Sequence, residues 1–328
     1  TGEEGRFTAP VTVNCAGPWA DMVIKSAATG NTKHNIQRSE GIHIITRKIC
    51  ENHAVTVMTK QDRHIMVMPW RGHSLIGTTD KEYFGNPDDY KVSKTSIMGL
   101  LEDVNENFNG ADLKYDDVLF FYGGLRPLAD TDTENSYESS RKYEIFDNAD
   151  EGLDGLFTVE GGKYTTSRQL AVDVLKKMQK KFDKKFPKEI SHNRPLYGSN
   201  IKNMETFLSQ LLTDYPDFSK TSVDYIGRNY GTESHAVFQL ARKNTKLAEV
   251  LNDDGEILAE VTYALQEEQA LSLSDILFRR TGIGTLGNPG DTVIKKVAAL
   301  AADHLNWDEK RRKSEIQKVQ KRFMLPKV

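Results

Sequence analysis

Cysteine is scarce in this chain, which has only Cys15 and Cys50 among its 328 residues. Small secreted domains that depend on disulfides contain several paired cysteines, so this class is excluded and a reducing compartment, the cytoplasm, is expected. The sequences Cys-x-x-Cys, His-Glu-x-x-His and Gly-x-Ser-x-Gly are also lacking, and the eight histidines are scattered. We therefore predict no metal site and no serine-hydrolase site.

Long apolar runs and an excess of one charge are missing too. No stretch approaches the roughly eighteen apolar residues of a membrane-spanning helix. Lys and Arg number 44 against 47 Asp and Glu, so the formal net charge of −3 gives no general attraction to nucleic acid. A hydrophobic share of 38% and a charged share of 28% are typical of a globular protein, and the length allows two domains.

Two similar patterns mark the middle of the chain. The apolar runs 118–122 and 156–159 are typical of buried strands, and each leads into a glycine pair followed by a cation, Arg126 or Lys163. This pattern predicts that the two cations lie at the ends of neighbouring strands. Arg141 lies in the polar segment between them, so all three cations converge if these elements share a sheet.

A helix is predicted after the second glycine pair, Gly161 and Gly162. Ala171, Val174, Leu175, Met178 and Phe182 recur there at a spacing of three and four, which is typical of one buried face. The free N–H groups at the start of a helix suit a phosphate, a carboxylate or an electron-rich ring edge. A tight turn with no functional role remains the alternative explanation of the glycine pair.

A strand, a glycine turn and a helix also open the chain. Residues 11–15 are predicted to form a buried strand, and residues 16–19, Ala-Gly-Pro-Trp, turn it into a helix. Trp19, Met22 and Val23 are expected on one side of that helix. An ordinary strand-to-helix crossover explains this pattern as well as a ligand site does.

Strands are predicted between residues 36 and 79, with a hairpin turn at residues 71–73. Such an antiparallel sheet is typical of a substrate platform. His43 lies in one of its strands, where a lone histidine is more often structural than catalytic. A helix that begins at Ser93 or Ser96 follows the strands.

The letters of these segments resemble the FAD-dependent glycerol-3-phosphate dehydrogenase family, which includes alpha-glycerophosphate oxidases. The matching blocks come in the family's order from Val11 to about Thr281: VNCAGPWAD, SEGIHII, PWRGHSLIGTTD, GGLRPL, SSRKY, GLFTVEGGKYTTSR and TYALQEEQALSLSDILFRRT. The resemblance implies an α/β (α+β) fold. It comprises part of an FAD-linked oxidoreductase fold with a mostly antiparallel substrate-binding sheet, and a C-terminal all-α cap.

The same resemblance implies a set of site residues. His43 is expected to take the proton of the substrate C2 hydroxyl, and Arg126 to act with it in catalysis, while Thr78 and Thr79 are structural. The substrate phosphate is expected to bind to Arg126, Arg141 and Lys163. The FAD contacts are expected at Ala16, Gly17, Pro18, Trp19, Gly161, Gly162, Lys163, Tyr164 and Thr165.

The implied reaction is the oxidation of sn-glycerol 3-phosphate to dihydroxyacetone phosphate, with hydride transfer from C2 to FAD and electrons passed to quinone. Three rivals stay open: an oxidase that passes electrons to oxygen and makes hydrogen peroxide, an amino-acid oxidase relative, and a non-catalytic substrate and cap module. The amino-acid oxidase is disfavoured because one arginine suffices for a carboxylate. Thr1 is not a methionine and the dinucleotide fingerprint is lacking, so we expect a fragment without the N-terminal ADP-binding segment that is inactive alone.

Two domains are predicted, a partial FAD- and substrate-binding domain at 1–190 and a helical cap at 191–328, joined near 185–200. One long helix is expected across the block that ends in Arg279 and Arg280. The charges of these arginines and of Glu268 are expected to pair with one another inside the cap. The glycines 282–287 fit Gly-x-Gly-x-x-Gly but follow a helical segment, so a dinucleotide site is rejected there.

Two polar segments are assigned to the surface. Residues 130–140 have no periodicity and are predicted to form a solvated loop. Residues 308–322 are predicted to form a basic helix. We expect it to be solvated rather than to contact anionic lipid, because its apolar side has few residues. A peripheral membrane contact and a homodimer remain open.

Overall fold

Two β-sheets carry the first half of the chain, and helices form most of the second. The computed structural model describes residues 4–30, 32, 35–60, 63–128 and 143–327. The strands are β1 Thr12–Asn14, β2 Gln37–Thr46, β3 Val55–Met58, β4 His64–Trp70, β5 His73–Gly77, β6 Lys81–Tyr83, β7 Val118–Leu128, β8 Tyr143–Asp147 and β9 Leu156–Gly161. The helices are α1 Ala20–Ala27, α2 Lys94–Asn107, α3 Ser167–Phe182, α4 Met204–Asp214, α5 Lys220–Tyr230, α6 Ser234–Lys243, α7 Leu258–Gln266, α8 Asp291–Leu305 and α9 Glu309–Arg322.

The smaller sheet has the strand order β1-β9-β8. Strand β1 runs parallel to β9, with Asn14 opposite Thr158, and β8 is antiparallel to β9. The buried Asn14 amide donates to Thr158 Oγ1 at 3.3 Å and to the Ala20 carbonyl at 2.9 Å, which ties the start of α1 to the sheet. Because β1 and β9 are parallel, their carboxyl ends lie at one edge of the sheet.

The larger sheet has the order β3-β4-β5-β2-β6, with β7 also paired to β2. Strands β3 and β4 are antiparallel, as are β2 and β6. Arg71 and Gly72 connect β4 to β5, with φ values of 48° and 75°. Two consecutive positive φ values are those of a tight hairpin turn, so the predicted hairpin is confirmed.

The chain divides into two units. The first comprises residues 1–43, 77–92 and 122–193, and the second comprises 44–76, 93–121 and 194–328. In the first unit Phe157 of β9 is fully buried and packs edge-on against Phe182 of α3. In the second unit one apolar core is shared by the helices from α4 onward, and Phe120 stacks on Phe278 with ring centroids 5.8 Å apart.

The fold class is confirmed, because the described residues combine an antiparallel sheet with a helical C-terminal region. The helix predicted from Ser93 or Ser96 begins after Ser93, whose hydroxyl accepts from the Ser96 N–H at 3.0 Å. The Gly-x-Gly-x-x-Gly letters follow a helical turn, Ile276–Arg280, as expected. The predicted loop at residues 130–140 lies outside the described residues.

Two predictions about the strands are wrong. Strand β7 continues through Gly123 and Gly124 to Leu128, so Arg126 lies within the strand and not beyond its end. In addition, β7 and β9 belong to different sheets, because β9 pairs with β1 and β8. Arg126 and Lys163 therefore do not lie at the ends of neighbouring strands.

The prediction that residues 11–15 form a buried strand is wrong as well. Strand β1 is exposed except for Asn14. Helix α1 buries Ala20, Asp21 and Ile24. The buried Asp21 carboxylate accepts a charged hydrogen bond from Arg38 at 2.6 Å, which compensates its burial.

The long helix predicted in the C-terminal region is also wrong. Helix α7 ends at Gln266, and a short turn Leu273–Asp275 and the π-helical turn Ile276–Arg280 follow it. Gln269 has a φ of 55°, which no helical residue adopts. Nothing in the apolar periodicity of this segment marks that break.

Glu260 of α7 generates a prediction about stability. It is 1% exposed, and burial, followed by the charge of Glu256, raises its pKa from 4.5 to about 8. The folded chain therefore holds a proton there that the unfolded chain releases, so this stabilisation is complete below pH 4.5 and is lost as pH rises to about 8. In Glu260→Gln the free energy of unfolding is expected to fall less over this range, measured by urea denaturation.

The matched control is Glu267→Gln, which changes an exposed neighbour on the same segment. Its free energy of unfolding should fall with pH as steeply as that of the original protein. If the free energy of unfolding of Glu260→Gln falls just as steeply, Glu260 is not the group responsible.

Candidate active site

One face of strand β2 carries the main polar cluster of the first unit. Residues 39, 41 and 43 share this face because side chains alternate along a strand. The Arg126 guanidinium lies over Gly41, where an added Cβ would stand 2.1 Å from Nη2. Glycine at residue 41 therefore leaves the space that the guanidinium occupies, and Arg126 lies on the same face as Ser39 and His43.

The Arg126 guanidinium is held by several oxygen acceptors. Its Nη2 donates to Thr78 Oγ1 at 2.8 Å and to the Thr79 carbonyl at 3.1 Å. Its Nη1 donates to the Glu40 carbonyl at 3.2 Å and lies 3.7 Å from Asp80 Oδ1. The side chain remains 33% exposed, so the oriented cation is still accessible to an anionic ligand.

His43 lies between an aromatic ring and the last residue of β5. Its imidazole stacks on Tyr122 with ring centroids 5.1 Å apart and an angle of 11° between planes. A Cβ at Gly77 would stand 2.3 Å from His43 Cδ2, so glycine leaves the space that the ring occupies. Burial, and then the positive charge of Arg126, lower the pKa of His43 below 6.5. The imidazole is therefore neutral at pH 7 and ready to accept a proton.

Strand β7 presents a glycine beside the two functional groups. Tyr122, Gly124 and Arg126 share one face of this strand by alternation. A Cβ at Gly124 would meet no described atom within 4 Å, so the described side chains leave open space there.

A second feature of the first unit is formed by the turns that follow β1 and β9. After β1 the chain forms a short helical turn, Gly17–Trp19, in which Gly17 has a φ of 57°. Arg38 Nε donates to the Pro18 carbonyl at 2.8 Å, and Trp19 Nε1 donates to Asp88 at 2.8 Å. These two contacts fix the backbone of the turn.

The turn after β9 opens helix α3. Gly161 and Gly162 have φ values of 70° and 91°, and a short turn, Tyr164–Thr166, leads into the helix. Neither Lys163 nor Thr166 places its side chain as a cap on the N–H groups described there. The start of α3 therefore offers hydrogen-bond donors to a ligand.

The predicted site residues fall into two groups. His43 and Arg126 lie on one face, whereas Ala16, Gly17, Pro18, Trp19, Gly161, Gly162, Lys163, Tyr164 and Thr165 lie in the turns after β1 and β9. The side chains of Lys163 and Tyr164 are exposed, and Arg141 lies outside the described residues. The convergence of Arg126, Arg141 and Lys163 stays a prediction.

Sequence analysis missed the residues that hold Arg126. Thr78 was expected to be structural, and the structure gives it a specific partner, the Arg126 guanidinium. Ser39 also accepts from Arg126, at 3.4 Å, and hydrogen-bonds to Asp80. The only signal in the sequence is the clustering of hydroxyl and carboxylate residues just after a predicted strand.

Two family models match different parts of the chain. Residues 1–166, just over half of it, match the family model described as FAD dependent oxidoreductase. The chain belongs to this family. Residues 189–312 match the model described as C-terminal domain of alpha-glycerophosphate oxidase. Both matches confirm the expected relation of the chain to the FAD-dependent glycerol-3-phosphate dehydrogenase family.

Several relatives are similar over most of the chain. It is 35% identical over 285 residues to D-erythritol 1-phosphate dehydrogenase of Brucella abortus, which covers 86% of the chain and 56% of that protein. It is 28% identical over 320 residues to glycerol-3-phosphate dehydrogenase of Synechocystis, covering 94% and 58%. The FAD complex of glycerol-3-phosphate dehydrogenase from Bacillus halodurans shares the fold, with a TM-score of 0.79 at 23% identity over 95% of this chain and 62% of that one.

The chain spans a little more than half the length of the curated relatives it matches. The activity, substrate and partners of the protein are therefore taken up below as proposals.

The electrostatic coupling of His43 to Arg126 generates the prediction of this site. In Arg126→Gln the pKa of His43 is expected to rise, because one of the two causes that lower it is removed. It should stay below 6.5, because burial is the larger cause of the lowering. Titration of the His43 ring protons by NMR measures this. Arg168→Gln, which changes an exposed arginine, is the control. A His43 pKa that is the same in Arg126→Gln and the control contradicts the described proximity.

Proposed function

We propose that the protein is an FAD-dependent dehydrogenase that oxidises sn-glycerol 3-phosphate to dihydroxyacetone phosphate. The observation that carries this proposal is the pairing of a neutral His43 with the cation Arg126 on one polar face, with open space at Gly124 on the same side of β7. A base and an anion-binding group on one face suit a small alcohol that carries a phosphate.

The turns after β1 and β9 fit a dinucleotide cofactor. In sheets with parallel strands, ligands bind beyond the carboxyl ends of the strands, and β1 and β9 end side by side. Gly17 offers a backbone that a ligand approaches closely, since an added Cβ would meet no described atom within 4 Å. The start of α3 supplies N–H groups for a phosphate or the flavin ring edge. These residues support FAD as the cofactor.

The proposed reaction distributes its steps among the residues. Arg126 binds the substrate phosphate through charge-assisted hydrogen bonds, and Arg141 and Lys163 are proposed to complete this set. A ring nitrogen of His43 accepts the C2 hydroxyl proton as the C2 hydrogen leaves with its electron pair and the carbonyl bond forms. When bound, the flavin supplies the hydride acceptor.

Quinone is the proposed electron acceptor, and oxygen is the acceptor of the alternative, an oxidase that produces hydrogen peroxide. Quinone reduction measured beside oxygen consumption distinguishes them. Peripheral contact with the cytoplasmic membrane face through the basic helix α9, and a homodimer, are further proposals. No helix in the described part of the chain has both the length and the apolar character needed to cross a bilayer.

D-Erythritol 1-phosphate is a second candidate substrate, favoured by the 35% identity to the Brucella abortus enzyme of that name. Both candidates are polyols with a phosphate on a terminal carbon, and they differ by one hydroxymethylene unit. Comparing kcat/KM for the two decides which one the protein uses.

The kinetic prediction assigns separate roles to the two residues. Each charge-assisted hydrogen bond contributes roughly 1.5–3 kcal/mol, so Arg126→Ala should raise KM about tenfold to a hundredfold. Loss of a general base lowers turnover about a hundredfold to ten-thousandfold, so His43→Ala should mainly lower kcat. Steady-state kinetics of the full-length protein with an artificial electron acceptor measure both, because we propose that these 328 residues alone are inactive. Arg168→Ala is the matched control for charge removal.

Unchanged KM in Arg126→Ala, or unchanged kcat in His43→Ala, would remove these assignments. Flavin content of the purified protein, measured by its visible absorption, tests the third possibility of a non-catalytic substrate and cap module. Stoichiometric FAD bound to these 328 residues contradicts that module.

A further inference from the structure

His43, the proposed base, lacks the contact that usually orients a catalytic histidine. In most such sites one ring nitrogen is hydrogen-bonded to a carboxylate or a carbonyl, which sets the tautomer and the direction of the other nitrogen. Within the described part of the chain, neither ring nitrogen of His43 makes a hydrogen bond to a protein group, and its pKa is lowered by burial and by Arg126 alone. The orientation of the imidazole therefore depends on packing.

Packing restrains one face and one edge of this ring. The Tyr122 ring lies parallel to the imidazole, with 5.1 Å between ring centroids and an angle of 11° between planes. Gly77 lies close to the edge at Cδ2, where an added Cβ would stand 2.3 Å away. Rotation of a histidine ring about its Cβ–Cγ bond has only broad energy minima of its own. A stacked neighbour is therefore what fixes the plane of the ring.

Tyr122 is placed for this task by the sheet. It belongs to β7, which pairs with β2, the strand that carries His43. Side chains on one face of paired strands contact each other, and two aromatic rings in this position stabilise each other. Gly123, the next residue, is tightly packed, since an added Cβ would stand 2.5 Å from the Tyr90 hydroxyl. The backbone that carries the Tyr122 ring is thus held in place.

The chemistry of Tyr122 suits a supporting role. Burial raises the pKa of Tyr122 above 10, so the hydroxyl keeps its proton at neutral pH and does not compete with His43 as a base. Once His43 has accepted a proton, it carries a positive charge that Arg126 opposes. The face of an aromatic ring attracts a cation within about 6 Å of its centroid, so the Tyr122 ring favours the imidazolium that forms.

We propose that Tyr122 is a positioning residue for the reaction, whose ring holds the His43 imidazole in one plane and stabilises its protonated form. This inference rests on the proposed function, in which His43 takes the C2 hydroxyl proton. It assigns the effect to the ring of Tyr122 and not to its hydroxyl.

Steady-state kinetics of the full-length protein test the proposal with two substitutions of one residue. Tyr122→Leu keeps an apolar side chain but removes the ring, so kcat should fall about tenfold to a hundredfold through misplacement of the base. KM for sn-glycerol 3-phosphate should stay unchanged, because Arg126 is not altered. Tyr122→Phe keeps the ring and should keep kcat. Leu119→Ala is the control, since Leu119 lies on the opposite face of β7 and is 42% exposed, against 40% for Tyr122.

The pH dependence of kcat/KM separates a misplaced base from a missing one. Protonation of the base lowers kcat/KM at acidic pH. This acidic decline should persist in Tyr122→Leu, at a lower maximal rate, because His43 is still present. It should disappear in His43→Ala. A general loss of structure would not preserve the decline, and circular dichroism melting curves check that each variant folds.

The outcomes distinguish this proposal from the proposed function. If His43→Ala lowers kcat but Tyr122→Leu does not, the positioning role is wrong and the base remains. Equal losses in Tyr122→Leu and Tyr122→Phe also overturn it, because the hydroxyl would then be the active group. If His43→Ala keeps its kcat, the proposed function fails and the positioning role fails with it.

A measurement on the original protein needs no substitution. NMR carbon relaxation of the His43 ring reports its motion directly. A ring as rigid as the backbone of β2 is expected. Rapid rotation about the Cβ–Cγ bond would contradict the positioning role, whatever the activity of the variants.

Discussion

The hydrogen bonds that hold the Arg126 guanidinium over Gly41 are the constraint on which the candidate active site depends. Acceptors from two separate segments, β2 and the residues after β5, surround one cation. They orient it without neutralising it, because only Asp80 among them is charged, and it lies 3.7 Å away. Burial lowers the pKa of His43, and the same cation lowers it further across the strand face, so one side chain both fixes a binding position and favours the neutral form of a neighbouring base.

Much of this arrangement could be predicted from sequence because the patterns were local. The hairpin at Arg71 and Gly72, the helix after Ser93 and the turn after Gly161 each depend on a few adjacent residues. His43 and Arg126 were identified by a resemblance to a family, since neither a lone histidine nor an arginine after a glycine pair is specific. The face that they share could not be predicted, because it depends on the pairing of β2 with β7.

The predictions that failed involved pairing between distant segments. The sequence around Lys163 repeats the pattern around Arg126, yet β9 joins β1 and β8 while β7 joins β2. No residue in either apolar run specifies its neighbour. The role of Thr78 was hidden for a similar reason, because a threonine becomes a guanidinium acceptor only when another strand delivers the cation. The break after α7 depends on the conformation of Gln269, which periodicity does not reveal.

The parallel pairing of β1 with β9 has a consequence for biosynthesis. Asn14 and Thr158, whose side chains join the two strands, are separated by 144 residues. During translation β1 is therefore made well before the strand that pairs with it. Closing so large a loop is slow, so this sheet is expected to assemble after the hairpin of β4 and β5, whose strands are joined by two residues. Until Leu156–Gly161 has been made, β1 lacks the backbone partner that β9 supplies, and unpaired strands of this kind are prone to aggregate.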